Sequence, residues 1–107
     1  MADIKSILST LEEKVVELAK LTFTDFTTEA IADGKQLLAT VKDDVIRRAQ
    51  LLEEQKITPT EFSALMLGGE TLIKMEALTQ KGIALARVDA FKNGVFNLII
   101  GTVTSLI

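Results

Sequence analysis

The sequence predicts an all-α fold: a helical hairpin or bundle of three to four helices, with a long, kinked C-terminal helical region. Three observations predict it. Apolar residues recur at intervals of three and four over long stretches of the chain. Pro59 is the only proline, glycines number six, and Ala, Leu, Glu and Lys are plentiful. Finally, Thr58-Pro59-Thr60-Glu61 carries the signals of a helix start. Together they place more than about 65% of the residues in helix. With 107 residues, the chain is expected to form one helical domain over 1–107, helical at about 4–21, 27–56 and 59–107.

The first helix rests on Ile4, Leu8, Leu11, Val15 and Leu18, spaced alternately by four and three. That is the a/d stripe of a coiled coil, widened by Ile7. It ends in Thr22 to Thr28, where β-branched residues and cap formers cluster. Phe23 and Phe26 flank Asp25 there, as expected of a helix corner packed on the core. The second helix carries Ile31, Gly34, Leu38, Val41, Val45 and Leu52 on its apolar face. Asp43 precedes Arg47 by four residues, and Asp44 precedes Arg48 likewise, an orientation that supports a helix by about 0.2–0.5 kcal/mol per pair.

At the third start, Thr58 suits the cap and Pro59 a position that needs no N–H. Glu61 can reach back to the cap, and Ile57 and Phe62 can form a hydrophobic staple. Gly68-Gly69 marks a kink or brief interruption, with a helical pattern resuming at Glu70. From Gly82 onward small or polar residues share one face, namely Gly82, Ala86, Asp89, Ala90, Asn93, Gly94, Asn97, Gly101, Thr104 and Ser105, with Ile83 and Ile100 interrupting the pattern. Val88, Val95, Ile99 and Leu106 centre on the opposite side, flanked by Phe91, Leu98 and Val103. A strand over Val95 to Ile107 is the competing reading, but its period-two alternation is poor.

Composition removes several chemistries. The chain has no His and no Cys. It therefore lacks the usual general base near neutral pH, thiolate nucleophiles, and the commonest zinc and iron–sulfur ligands. The carboxylate pairs Glu12-Glu13, Asp43-Asp44 and Glu53-Glu54 are adjacent in sequence, so their members diverge by about 100° on a helix. Gly68-Gly69 lacks the residues that complete a phosphate loop. No catalytic, metal or cofactor site is expected, and the chain reads as non-enzymatic. Twelve basic residues against fifteen acidic ones leave a net charge of −3, which argues against nucleic acid as a partner. The opening MADIKSIL carries Asp3 and Lys5 and does not read as a signal peptide, so a cytoplasmic location is expected.

The C-terminal region raises the functional question. An unbroken helix from Pro59 to Ile107 would span about 73 Å, against about 45 Å for the second helix. Either the chain folds back near one of its glycines or the tail projects. A projecting tail would leave about ten large apolar side chains wet, forfeiting of order 15–30 kcal/mol. Something must cover them. The leading expectation is a helical interaction or assembly module that forms a homo-oligomer or docks another protein. The expected interface is Gly82, Ala86, Val88, Ala90, Phe91, Gly94, Val95, Ile99, Val103 and Leu106. The alternative is a membrane-active helical protein whose C-terminal segment inserts into lipid. It is disfavoured because the uncharged stretch from Asn93 to Ile107, about 22 Å as a helix, is shorter than a bilayer core of about 30 Å.

Overall fold

The computed structural model of the chain describes residues 4–69 and 73–106. They form α1 (Ile4–Thr22), α2 (Thr27–Glu53), α3 (Pro59–Leu67), α4 (Glu76–Gln80) and α5 (Leu85–Leu106). Helix takes up 82% of the described residues, and none of them is in a strand. The described residues thus hold five helices where the sequence predicts three to four. The extra ones come from the C-terminal region, which is three separate helices and not one kinked rod. The predicted resumption of helix at Glu70 falls on residues outside those described.

In α1 the buried row is Ile7, Leu11, Val15 and Ala19, spaced uniformly by four, with Leu8 and Leu18 half-buried at its edges. The contact therefore follows an i±4 ridge of the helix, not the alternating spacing of a heptad seam. The corner to α2 is short, and Phe23 fills it, fully buried. The Thr27 hydroxyl donates to the Phe23 carbonyl at 2.6 Å. α2 then runs antiparallel to α1, and at Gly34 the two come so close that an added Cβ would lie 2.6 Å from Val15 Cγ1.

α2 stops at Glu53, three residues before the predicted end. Gln55 adopts a left-handed conformation, with φ at 61°. The Lys56 N–H donates to the Leu51 carbonyl and the Gln55 N–H to that of Leu52. This pair of reversed bonds satisfies carbonyls at the end of a helix and turns the chain out of it. α3 begins as the sequence requires. Thr58 Oγ1 accepts from the Glu61 N–H at 3.1 Å, and Glu61 Oε1 accepts from the Thr58 N–H at 3.0 Å. Phe62 is buried and Ile57 half-buried.

α3 and α4 run back along α2. Arg48 Nη1 donates to the Leu65 carbonyl at 2.9 Å. The helix is interrupted because α3 ends at Leu67, with Gly68 as its C-cap, and residues 73–75 are not helical. Further on, Asp33 of α2 receives the start of α4: Oδ1 accepts from Ala77 N–H at 3.0 Å and Oδ2 from Leu78 N–H at 2.8 Å. A five-residue helix is marginal alone. This carboxylate supplies acceptors for two of its otherwise unpaired N–H groups. The chain then reverses at Lys81–Gly82, where Gly82 has φ +73°, a conformation that favours glycine.

α5 lies antiparallel to α1. Its Phe91 ring meets Phe23 edge-on, with centroids 5.3 Å apart and planes at 83°. The whole measures 43 × 24 × 18 Å, well short of a 73 Å rod, so the chain folds back and the described tail does not project. One core runs through it, built from α1, α2, α3, α4 and α5, with Phe23, Phe62, Phe91 and Phe96 its largest fully buried side chains.

Candidate functional site

The ten residues expected at an interface separate into two groups. Val88, Phe91, Val95, Ile99 and Val103 are buried within the chain itself, at 0–3% exposure. They recur on one side of α5 by the 100° rotation of the helix, and α1, α2 and α3 cover that side. Their covering is intramolecular, so they are not available to a partner in this conformation. The other group is Gly82, Ala86, Ala90, Gly94 and Leu106. Ala86, Ala90 and Leu106 are exposed on α5. Gly94 is half-buried, and a Cβ there would touch Leu18 Cδ2 at 3.4 Å. Gly82 sits in the turn before α5, so the ladder of small residues starts at Ala86.

The outward arc of α5 is therefore Ala86, Ala90, Asn93, Asn97 and Gly101, all exposed. Nothing from elsewhere in the fold lies within 4 Å of where a Gly101 Cβ would stand. The sequence from Asn93 to Ile107 has no charged side chain. The side chains on this arc are short and uncharged, and at one edge of it stand the exposed Asp89, 3.8 Å from Lys92 Nζ, and the half-buried Ile100.

The charged residues near the start of α5 work as internal ties. Arg87 Nη2 lies 3.3 Å from Asp25 Oδ1 and 3.5 Å from the Thr22 carbonyl. Its guanidinium carbon sits 4.6 Å from the centre of the Phe23 ring, a cation–π contact. Lys92 Nζ reaches the Ile73 carbonyl at 3.3 Å and Asp89 at 3.8 Å. These contacts fix the two ends of the reversal that brings α5 back to α1. Arg47 bonds Asp44 at 2.8 Å, three residues away, in place of the predicted pairing with Asp43. Arg48 departs from its predicted Asp44 partner and ties α2 to α3.

Sequence reasoning missed Asp33 and Arg48. For Asp33 a signal existed. It falls between Ala30 and Leu37 on the apolar arc of α2, where an unpaired carboxylate would be costly. A partner was therefore required, although its identity 44 residues away was not readable. Among the described residues no three acidic side chains converge into a metal-holding group. No described helix is long and apolar enough to cross a membrane. Comparison with protein-family models, with curated proteins and with solved structures finds no match to this chain.

Proposed function

We propose that this chain is a non-enzymatic helical assembly module that pairs with a second copy of itself through the outward arc of α5. The observation that carries the reading is the exposure of Ala86, Ala90, Asn93, Asn97 and Gly101 along a 22-residue helix whose bulky side is already used by its own core. Two such arcs can pack at close range, since small side chains let helix backbones approach and form extensive dispersion contacts. A second copy is favoured over an unrelated partner because the arc is nearly neutral on a chain of net charge −3. The same patch on two copies meets without the repulsion that the acidic remainder would impose. The absence of His and Cys supports the non-enzymatic part of the reading.

The chain has no cysteine, so single cysteines can report proximity. Ala86→Cys, Ala90→Cys, Asn97→Cys and Gly101→Cys are compared under mild oxidation with Gln36→Cys, an exposed site on α2. A disulfide needs Cα atoms roughly 4.4–6.8 Å apart, so only positions close to the symmetry axis will link efficiently. The reading requires at least one α5 variant to form a covalent dimer well ahead of the α2 control. Equal, slow linking at every position would contradict it. If the chain stays monomeric in buffer and pairs only when lipid vesicles are added, the membrane-active alternative takes its place.

A further inference from the structure

The chain has two asparagines, Asn93 and Asn97, and both stand exposed on α5. Their successors differ: Gly94 follows Asn93, and Leu98 follows Asn97. Asparagine can modify itself, because the backbone nitrogen of the next residue can attack its side-chain amide carbon. A successor without a Cβ leaves that approach unhindered and its backbone free to turn. Asn93–Gly94 is therefore the reactive pair, and Asn97–Leu98 is its hindered counterpart on the same helix.

The step balances without a cofactor. The Gly94 nitrogen gives up its proton and bonds to Asn93 Cγ. The Cγ–Nδ2 bond breaks, and ammonia leaves with that proton, closing a five-membered succinimide. Water then opens the ring at one of its two carbonyls. Opening at Cγ leaves aspartate. Opening at the backbone carbonyl leaves isoaspartate, whose main chain is one carbon longer. Both products carry a carboxylate where the chain had a neutral amide.

α5 keeps the step from starting. In a helix the Gly94 N–H is directed at the carbonyl four residues back, that of Ala90, so its proton is held. Ring closure also needs Asn93 Cβ and the Gly94 nitrogen nearly eclipsed about the Cα–C bond, and helical backbone angles hold them apart. The helix cannot unwind there alone. Phe91, Val95 and Phe96 are buried on either side of the pair, and a Cβ at Gly94 would touch Leu18 of α1. Segments packed in this way open at free energies near that of global unfolding.

We propose that Asn93–Gly94 is a self-deamidation site gated by α5: closed in the folded chain, it modifies chains that have opened and prevents their return to this fold. The isoaspartate product has the larger effect. Its extra main-chain carbon falls two residues before Val95 and shifts Val95, Phe96 and Ile99 out of register with the core they fill. The site is independent of self-association, because the gate is the helix itself.

The test is incubation of the full chain in mildly alkaline buffer, with and without enough urea to unfold it. Ammonia release and peptide mass mapping follow residues 93 and 97. In urea Asn93 should convert to aspartate and isoaspartate at least tenfold faster than Asn97, and Gly94→Ala should slow it at least tenfold. Without urea the conversion of Asn93 should be at least a hundredfold slower. When urea is removed, the isoaspartate fraction should fail to regain its helical circular dichroism. Asn93→Asp, which adds the charge without the extra carbon, should fold. Asp33–Gly34 can close a similar ring by losing and regaining water. Asn93→Ala, incubated alike, keeps that pair and should refold, which separates the two sites. Equal rates at Asn93 in folded and unfolded chains, equal rates at Asn93 and Asn97 in urea, or native refolding of the isoaspartate fraction would each overturn the proposal. So would failure of Asn93→Ala to refold after the same incubation, which would place the damage at Asp33.

Discussion

Asp33 shows how one side chain can decide a local fold. It is 7% exposed and accepts from two backbone N–H groups of α4. Hydrogen bonds to a charged group are worth more than neutral ones, so Asp33→Ala should lower stability by about 2–3 kcal/mol. Asp33→Asn, which keeps one acceptor, should cost about half of that. Denaturation midpoints measure both, and hydrogen exchange at Ala77 and Leu78 should accelerate first. An unchanged midpoint in Asp33→Ala would mean that α4 docks by apolar contact alone. Thr58 is the counterpart that the sequence announced fully. Its hydroxyl and the Glu61 carboxylate exchange bonds as the residue types predict. Thr58→Ala should cost about 1 kcal/mol in the same measurement, and no loss would show that the box is dispensable. The two residues differ in reach. Thr58 acts over three positions, so its role is local and legible, whereas Asp33 acts across the fold.

Among the elements, α5 carries the functional reading, and its glycines separate its two sides from those of α2. Gly34 in α2 faces the stiff, β-branched Val15, with Phe91 3.6 Å from the same point. Gly34→Ala gains helix propensity of about 1 kcal/mol but must displace a packed valine, so a net loss of about 1–2 kcal/mol is expected. Gly101→Ala meets open space. It should stabilise the isolated chain by about 0.5–1 kcal/mol through propensity alone. Thermal denaturation at low concentration, where pairing is absent, checks both signs; a stabilised Gly34→Ala or a destabilised Gly101→Ala would contradict the packing described. The opposition of bulky and small sides on α5 was legible because periodicity is a property of the helix itself. Which side the fold would cover was not, because that depends on where the chain reverses. The break after α3 was only half legible: Gly68-Gly69 announced a weakness, but the bond network that holds α4 on α2 lies outside any local window.

At the scale of the whole molecule, the sequence posed a choice between a projecting tail and one folded back. The turn at Gly82 and the ties from Arg87 and Lys92 take the second course. Val88, Phe91, Val95, Phe96, Ile99 and Val103 are then buried within the chain, while Ala86, Ala90, Asn93, Asn97 and Gly101 stay exposed. Of the ten residues expected at an interface, the proposed arc keeps Ala86 and Ala90 and adds Asn93, Asn97 and Gly101. A charge placed at Val95 or Ile99 would destroy the core and report only unfolding. The direct measurement is mass by light scattering in detergent-free buffer over a range of concentrations, for the wild-type chain and for Ala90→Lys/Gly101→Lys. Lysine is a good helix former, and both positions are exposed, so circular dichroism of the variant should match the wild type. The account predicts a wild-type mass that rises with concentration to twice 11.7 kDa and a variant that stays at 11.7 kDa. A wild-type chain that remains at 11.7 kDa throughout, or a variant that pairs as well as the wild type, would contradict it.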